Sequence, residues 1–237
     1  MAWSCSGSTN SELVENLYNS GLIKNDRVKK AMLGVDRANY ALSNPYSDSP
    51  QPIGYGATIS APHMHGYACE YLIDFLHPSS RVLDVGSGSG YLTHVLANLI
   101  TDSSSLPGES VGHVVGVDHI RELVDMARNN MRKSADGRKF IESGKVKFIT
   151  GDGRLGWKDG APYDVIHVGA AAKSVPPTLI EQLRAPGRMF IPVESESHIG
   201  FGSGQHIWVV DKKEDGSVSK EKILGVNYVP LTDPPKR

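Results

Sequence analysis

Apolar residues recur with three different rhythms along the chain. In the first stretch, Leu13, Val14 and Leu17 share one helical face behind the capping-box sequence Thr9-Asn10-Ser11-Glu12, and Gly21 ends the run. A second short helix is predicted from Asn25-Asp26 through Val28, Ala31 and Met32. Residues 44–62 are rich in Pro, Gly, Ser and Tyr, and they read as a long ordered loop anchored by Tyr46, Ile53, Tyr55 and Ile59. Loops of that length in a compact domain usually carry function.

From Arg81 the rhythm becomes an alternation of short apolar runs and helical faces. Arg81-Val82-Leu83-Asp84-Val85 predicts a buried strand that runs into Gly86-Ser87-Gly88-Ser89-Gly90. Leu92, Val95, Leu96 and Leu99 mark a helix. A polar loop over residues 101–110 precedes a strand at His113-Val114-Val115-Gly116-Val117, closed by Asp118. A helix follows with Ile120, Leu123, Val124, Ala127 and Met131. Val146, Phe148 and Thr150 alternate as a third strand before Gly151-Asp152-Gly153, and residues 163–168 form a fourth. Pro177 suits a helix start ahead of Leu179, Ile180 and Leu183, and residues 189–193 form a fifth strand. Strand–helix alternation with short turns predicts an α/β fold with a mostly parallel sheet and helices on both faces. After residue 205 the pattern is strand-rich: residues 207–210 and 223–229 flank a turn at Asp215-Gly216, an antiparallel hairpin at the sheet edge.

Composition narrows the partners. The chain has 237 residues, with 39% apolar, 22% charged and a net charge of −1, so nothing favours nucleic acid as a ligand. Two cysteines, Cys5 and Cys69, make no disulfide framework and suit a reducing cytoplasmic setting. Met1-Ala2-Trp3-Ser4 lacks the character of a signal peptide, and no apolar run reaches membrane-spanning length, so no membrane partner is expected.

Three features carry candidate chemistry. The glycine-rich turn after the Arg81–Val85 strand allows a ligand close to the backbone, and it could serve NAD, FAD, S-adenosylmethionine or only the turn itself. Its spacing is G-x-G-x-G rather than the G-x-G-x-x-G that cradles a pyrophosphate. Asp84, two residues before the first glycine, would suit a ligand bearing an amino group and a sulfonium. Asp118 at the end of the second strand is placed to accept from ribose hydroxyls, or to cap the next helix. Asp152 could read an adenine amino group or simply shape its turn. Finally, Ala57-Thr58-Ile59-Ser60-Ala61-Pro62-His63-Met64-His65 admits several readings. Ser60 lacks the G-x-S-x-G setting of a hydrolase nucleophile, and His63 with His65 is an incomplete metal set. Loop packing or a substrate and cofactor lid remain.

Residues 58–65, 83–90 and 151–154, with 161–164, 166–172 and 228–232, resemble the protein-L-isoaspartate (D-aspartate) O-methyltransferase family. The likeness runs from about Ser11 to Thr232. It implies a Rossmann-like seven-stranded methyltransferase fold, S-adenosylmethionine as donor, and damaged proteins and peptides containing isoaspartyl or D-aspartyl residues as substrates. By resemblance Ser60 is the catalytic residue. The cofactor site would comprise Ala57, Thr58, Ile59, Ser60, His65, Asp84, Gly86, Ser87, Gly88, Asp118, His119, Asp152, Gly153 and Thr232, with no metal. A monomer is expected. Residues 103–110 look like an insertion, and Lys173, residues 184–188 and residues 194–200 depart from the family pattern. The expected organisation is a single domain over residues 1–237: N-terminal helices and lid loop (1–78), cofactor-binding α/β core (79–200) and C-terminal strands (201–237). The nucleophile is a carboxylate, already ionised at neutral pH, so no strong base is required, and no Asp–His or Lys dyad is evident in the sequence. A narrow groove near Ile59, Ser60 and Val229-Pro230 would test the substrate's shape. Rival readings are a methyltransferase acting on another substrate, a non-catalytic adenosyl-binding module and, more distantly, an NAD oxidoreductase.

Overall fold

A computed structural model describes residues 5–101, 112–194 and 204–231. Helix α1 (Asn10–Asn19) starts as its sequence predicts, with Thr9 Oγ1 accepting the Glu12 N–H at 3.1 Å. The return half of the capping box differs: the Glu12 carboxylate accepts from the Ser8 N–H at 2.7 Å instead of from Thr9. Helix α2 (Asp26–Leu33) is capped by Asn25, whose side chain accepts the Arg27 N–H.

Residues 44–62 contain more order than a loop. Strands β1 (Gln51–Gly54) and β2 (Ala57–Ile59) pair as a small antiparallel hairpin, and α3 (Pro62–Leu72) begins at Pro62. The hairpin turns through Gly54, Tyr55 and Gly56, all at positive φ. Tyr55 is therefore no core anchor; it is 58% exposed at the tip. Ile53 and Ile59 are buried as expected.

The large sheet comprises β3 (Arg81–Val85), β4 (His113–Asp118), β5 (Val146–Thr150), β6 (Tyr163–Val168), β7 (Leu183–Glu194), β8 (Gln205–Lys212) and β9 (Val218–Val226), in the spatial order β5-β4-β3-β6-β7-β8-β9. The first five strands in that order are parallel, and β8 and β9 run antiparallel to their neighbours. The C-terminal hairpin thus lies at the sheet edge, turning at Gly216 with φ +80°, but β9 begins at Val218, earlier than its apolar residues indicate. Its first five residues are exposed and polar apart from Val218, so pairing with β8 rather than burial makes them a strand. Leu183, predicted as helix, opens β7 because α7 (Pro177–Gln182) stops one residue earlier.

Helices α4 (Tyr91–Leu99), α5 (Arg121–Met131) and α6 (Ala135–Glu142) complete the set, and the hydrophobic pattern did not mark α6, which buries only Gly137. Adjacent strand residues belong to different buried clusters. Val82, Val114, Val165 and Val209 pack with α1–α5, whereas Leu83, Val115, Ile166 and Val210 pack on the α7 side. That two-residue alternation, apolar on both faces, is what a sheet covered on both sides requires. The chain begins the sheet centrally at β3, runs outward to β5, then returns to β6 beside β3. Ligands of open α/β sheets bind at such a reversal, outside the carboxyl ends of the strands. Among the described residues, no helix is long and apolar enough to cross a membrane.

Candidate active site

The β3 and β6 ends meet where the strand order reverses. Gly86 and Ser87 donate their N–H groups to the Val117 carbonyl, and Gly169 donates to the Val85 carbonyl. Gly86, Gly88 and Gly90 all have positive φ, a region that side chains occupy with strain. The β1–β2 hairpin lies over this loop, close enough that a Cβ on Gly88 would sit 3.3 Å from Ile53 Cδ1.

Two adjacent spaces result, sharing Thr58, Gly86, Gly88 and Gly169 as walls. The larger, about 230 Å³, is lined by Ala57 and Thr58 from the hairpin, by Gly86 and Gly88, by Asp118, His119 and Gly153, and by Val229–Leu231. The smaller chamber, about 30 Å³, is lined by Thr58, Ile59, Ser60, His65, Asp84, Gly86, Ser87, Gly88, Tyr91 and His167, among others. Thirteen of the fourteen expected site residues lie in the described regions; Thr232 lies outside them. Twelve of the thirteen line one or both spaces. Asp152 lines neither, and its carboxylate takes the Arg154 guanidinium, with Nη2 at 2.6 Å. That hydrogen bond is the main reason its pKa lies below the ordinary aspartate value.

Asp118 is 8% exposed and ties the loop to α5: its Oδ2 accepts the Gly88 N–H at 3.1 Å and its Oδ1 the Ile120 N–H at 3.0 Å. Burial raises its pKa, and the two N–H bonds oppose that rise. Asp84 is 1% exposed, accepting from Thr93 Oγ1 at 2.5 Å and paired with His167 Nδ1 at 2.8 Å. His63 and His65 face different partners. His63 Nδ1 is 2.8 Å from Asp48 Oδ1, which also accepts the His63 backbone N–H. His65 Nδ1 is 3.3 Å from Arg37 Nη1.

Among the described residues the fold makes three Asp–His pairs that the sequence does not reveal: Asp48–His63 and Asp84–His167 near the site, and Asp136–His94 away from it. Arg37, Thr93, His167 and Tyr228 are further site neighbours that sequence reasoning missed. Tyr228 is half-buried with its phenol near the Ser60 side chain, and burial pushes its pKa up to about 12. Only the position of Tyr228 within the family-like 228–232 segment hinted at a role. The segment after β9 is held by two backbone bonds, Ala171 N–H to the Val229 carbonyl and Leu231 N–H to the Ala171 carbonyl.

Two buried hydroxyls that line the small chamber lack a partner, Ser87 Oγ and Tyr91 Oη, and so does Arg37 Nε behind Ser60 and His65. The two hydroxyls are donors left for a polar ligand, since unmet buried hydrogen-bonding groups are costly. A nucleoside-sized space beside a polar pocket at the strand ends fits an adenosyl ligand with an amino-acid tail.

Fold and site thus define the class, an α/β methyltransferase with a seven-stranded sheet and a candidate donor site at the ends of β3, β4 and β6. The family model described as Protein-L-isoaspartate(D-aspartate) O-methyltransferase (PCMT) matches residues 8–236, and the chain belongs to that family. It is similar to a protein-L-isoaspartate O-methyltransferase of Caenorhabditis elegans, 44% identical over 98% of this chain and 96% of the relative. It is similar also to one of Triticum aestivum, 46% identical over 94% of this chain and 91% of the relative. Among solved structures, a putative protein-L-isoaspartate O-methyltransferase of Plasmodium falciparum in complex with S-adenosyl-L-homocysteine matches with a TM-score of 0.84. That match has 32% identity and covers 95% of this chain and 99% of the other.

Proposed function

We propose that the chain repairs damaged proteins by methylating the free carboxylate of isoaspartyl and D-aspartyl residues, with Ser60 orienting that carboxylate. Bound S-adenosylmethionine supplies an electrophilic methyl group on a sulfonium. Its adenosine would lie in the larger space between Ala57, Thr58, Gly86, Asp118, His119 and Gly153, and its amino-acid end in the small chamber. The role of Asp152 in this reading is to shape the turn that carries Gly153. Thr232 would close the same site.

The observation that carries the reading is the pair Ser60–Tyr228. Ser60 lines the small chamber, while Tyr228 lines an outer groove of about 550 Å³ together with Ala61, His63, Met64, Tyr67 and residues 224–227. A peptide in that groove needs only to pass a carboxylate beyond Tyr228 to reach Ser60. An isoaspartyl residue carries its main chain through the side-chain carbon, which adds a methylene and frees the α-carboxylate; the narrow junction is where the two isomers differ.

A carboxylic acid with a pKa near about 4 is already ionised at pH 7, so no base need deprotonate it. The chain's contribution is to hold the reactants in line and exclude water; positioning of that kind can supply on the order of 7–11 kcal/mol. The buried Asp84–His167 pair lines the chamber and acts as its rigid floor. The neighbouring backbone nitrogen can attack the product ester and expel methanol, and water opens the resulting succinimide partly to normal aspartate. A cytoplasmic monomer fits buried, unpaired Cys5 and Cys69 and a substrate range that needs an unobstructed groove.

The test is methyl transfer to an isoaspartyl peptide and to its normal aspartyl twin. Base-labile label is expected in the first alone. In the same assay Ser60→Ala should lower kcat on the order of 10- to 100-fold, the scale of a misplaced reactant, with S-adenosylhomocysteine affinity kept. Equal labelling of both peptides would sink the substrate reading, and an unaffected kcat would make Ser60 structural.

A further inference from the structure

Arg37 is a buried cation that the reaction as derived above does not use. It opens a single 3-10 turn, Arg37–Asn39, and its backbone N–H is received by Asn10 of α1 at 3.3 Å. The side chain is fully buried. Nη2 donates to the Ser60 carbonyl at 2.7 Å, Nη1 lies 3.3 Å from His65 Nδ1, and Nε has no partner. The guanidinium carbon stands 5.1 Å from the centre of the Tyr91 ring, and the His65 ring packs on the same tyrosine at 4.9 Å. Among the described residues Arg37 forms no ion pair. Asp48 attracts it from a distance, but Asp48 Oδ1 is already bonded to the backbone and ring of His63.

A buried charge is normally paired, because desolvation without a counter-charge is costly. Here the free cation backs onto two residues of the small chamber, Ser60 and His65. A guanidinium can only donate, so His65 Nδ1 must accept and its proton must sit on Nε2. His65 is then a neutral N–H donor in a chamber that also holds the unpartnered hydroxyls of Ser87 and Tyr91. Donors beside a positive charge define a receptor for a carboxylate.

We propose that Arg37 is a positioning residue that readies the small chamber for a carboxylate. It fixes the Nε2–H form of His65, holds the Ser60 main chain, and supplies the positive charge that the incoming carboxylate neutralises. This rests on the reading of the chamber as the end of an adenosyl-donor site. Two ligands bring a carboxylate there, the donor through its amino-acid end and the peptide through its isoaspartyl group.

The experiment uses the full chain and the variants Arg37→Met and Arg37→Lys. Calorimetry gives affinities for S-adenosylhomocysteine and for 5′-methylthioadenosine, which lacks the carboxylate; kinetics give KM and kcat for an isoaspartyl peptide. Wild-type binding of S-adenosylhomocysteine tests the site reading by itself, so a defect confined to the variants reports on Arg37. If the donor provides the counter-charge, Arg37→Met weakens S-adenosylhomocysteine by roughly ten-fold or more and spares methylthioadenosine. If the substrate provides it, both adenosyl ligands are spared and peptide KM rises by a similar factor. Arg37→Lys, which keeps the charge but not the fork, should fall between wild type and Arg37→Met. Equal weakening of both adenosyl ligands, or no change in any affinity or KM, overturns the proposal. A measurement on the unaltered protein guards against a variant that fails to fold: nitrogen NMR of His65 should find the proton on Nε2, and a proton on Nδ1 overturns the proposal outright.

Discussion

Asp118 shows how one side chain can serve architecture and chemistry together. Its two oxygens hold the Gly88 and Ile120 N–H groups, which fixes the glycine loop relative to α5, and the same carboxylate lines the larger space. The sequence offers helix capping and ribose binding as compatible roles; in the structure Ile120 occupies the cap position of α5 with no side-chain cap bond, so Asp118 braces that residue's N–H rather than capping the helix, and the ribose role stands beside it. Asp118→Ala should weaken S-adenosylhomocysteine by about 1–3 kcal/mol in calorimetry, through lost charge-assisted hydrogen bonds and a loosened loop. An unchanged affinity would remove the ribose role. Arg37 stands at the opposite extreme of legibility. A lone arginine after a short helix reads as a surface charge, and only the packing of α1, α3 and the 3-10 turn around it reveals a buried cation.

At the scale of elements, the glycine loop is a backbone device with a packing condition. Gly90 has φ +86° and begins α4, and an added Cβ would lie 3.0 Å from Ala127 Cβ and 3.1 Å from Phe148 Cζ. The left-handed conformation alone costs a side chain about 1–2 kcal/mol. Gly90→Ala is therefore expected to lower unfolding free energy in urea titration by at least that amount, because α5 and β5 crowd the new methyl as well. Wild-type stability in the variant would show that the loop adapts. The loop itself was legible because glycines after an apolar strand announce a turn. The β1–β2 hairpin was not, since it pairs only three or four residues per strand and depends on packing of Ile53 and Ile59 in the core. Helix α3 likewise absorbs His63, Met64 and His65, which the sequence alone joins to the preceding lid.

Across the whole molecule, the buried histidines set the acid limit of stability. Burial lowers the pKa of His65 well below its ordinary value and lowers those of His94 and His113 as well. A histidine held neutral in the fold takes up its proton first in the unfolded chain. Stability is therefore complete above about pH 6.5 and declines as pH falls below it, by up to about 1.4 kcal/mol per pH unit for each such group. Urea midpoints should fall between pH 7.5 and pH 5.5, with His94→Gln flattening part of the slope. A midpoint constant over that window would contradict the assignment.

The sequence by itself determined the alternation of β3 to α7, the apolar faces of the strands, the glycine loop and the strand-end acids, and the likeness at residues 58–65. These are local or periodic signals, written in residues adjacent along the chain or repeating at fixed intervals. Tertiary structure alone decided the meeting of Ser60 with Tyr228, of Asp84 with His167, and of Arg37 with His65. Those partners are far apart in sequence and have no common period, so their contacts exist only after the sheet has ordered its strands and brought the N-terminal helices and the post-β9 segment to one edge.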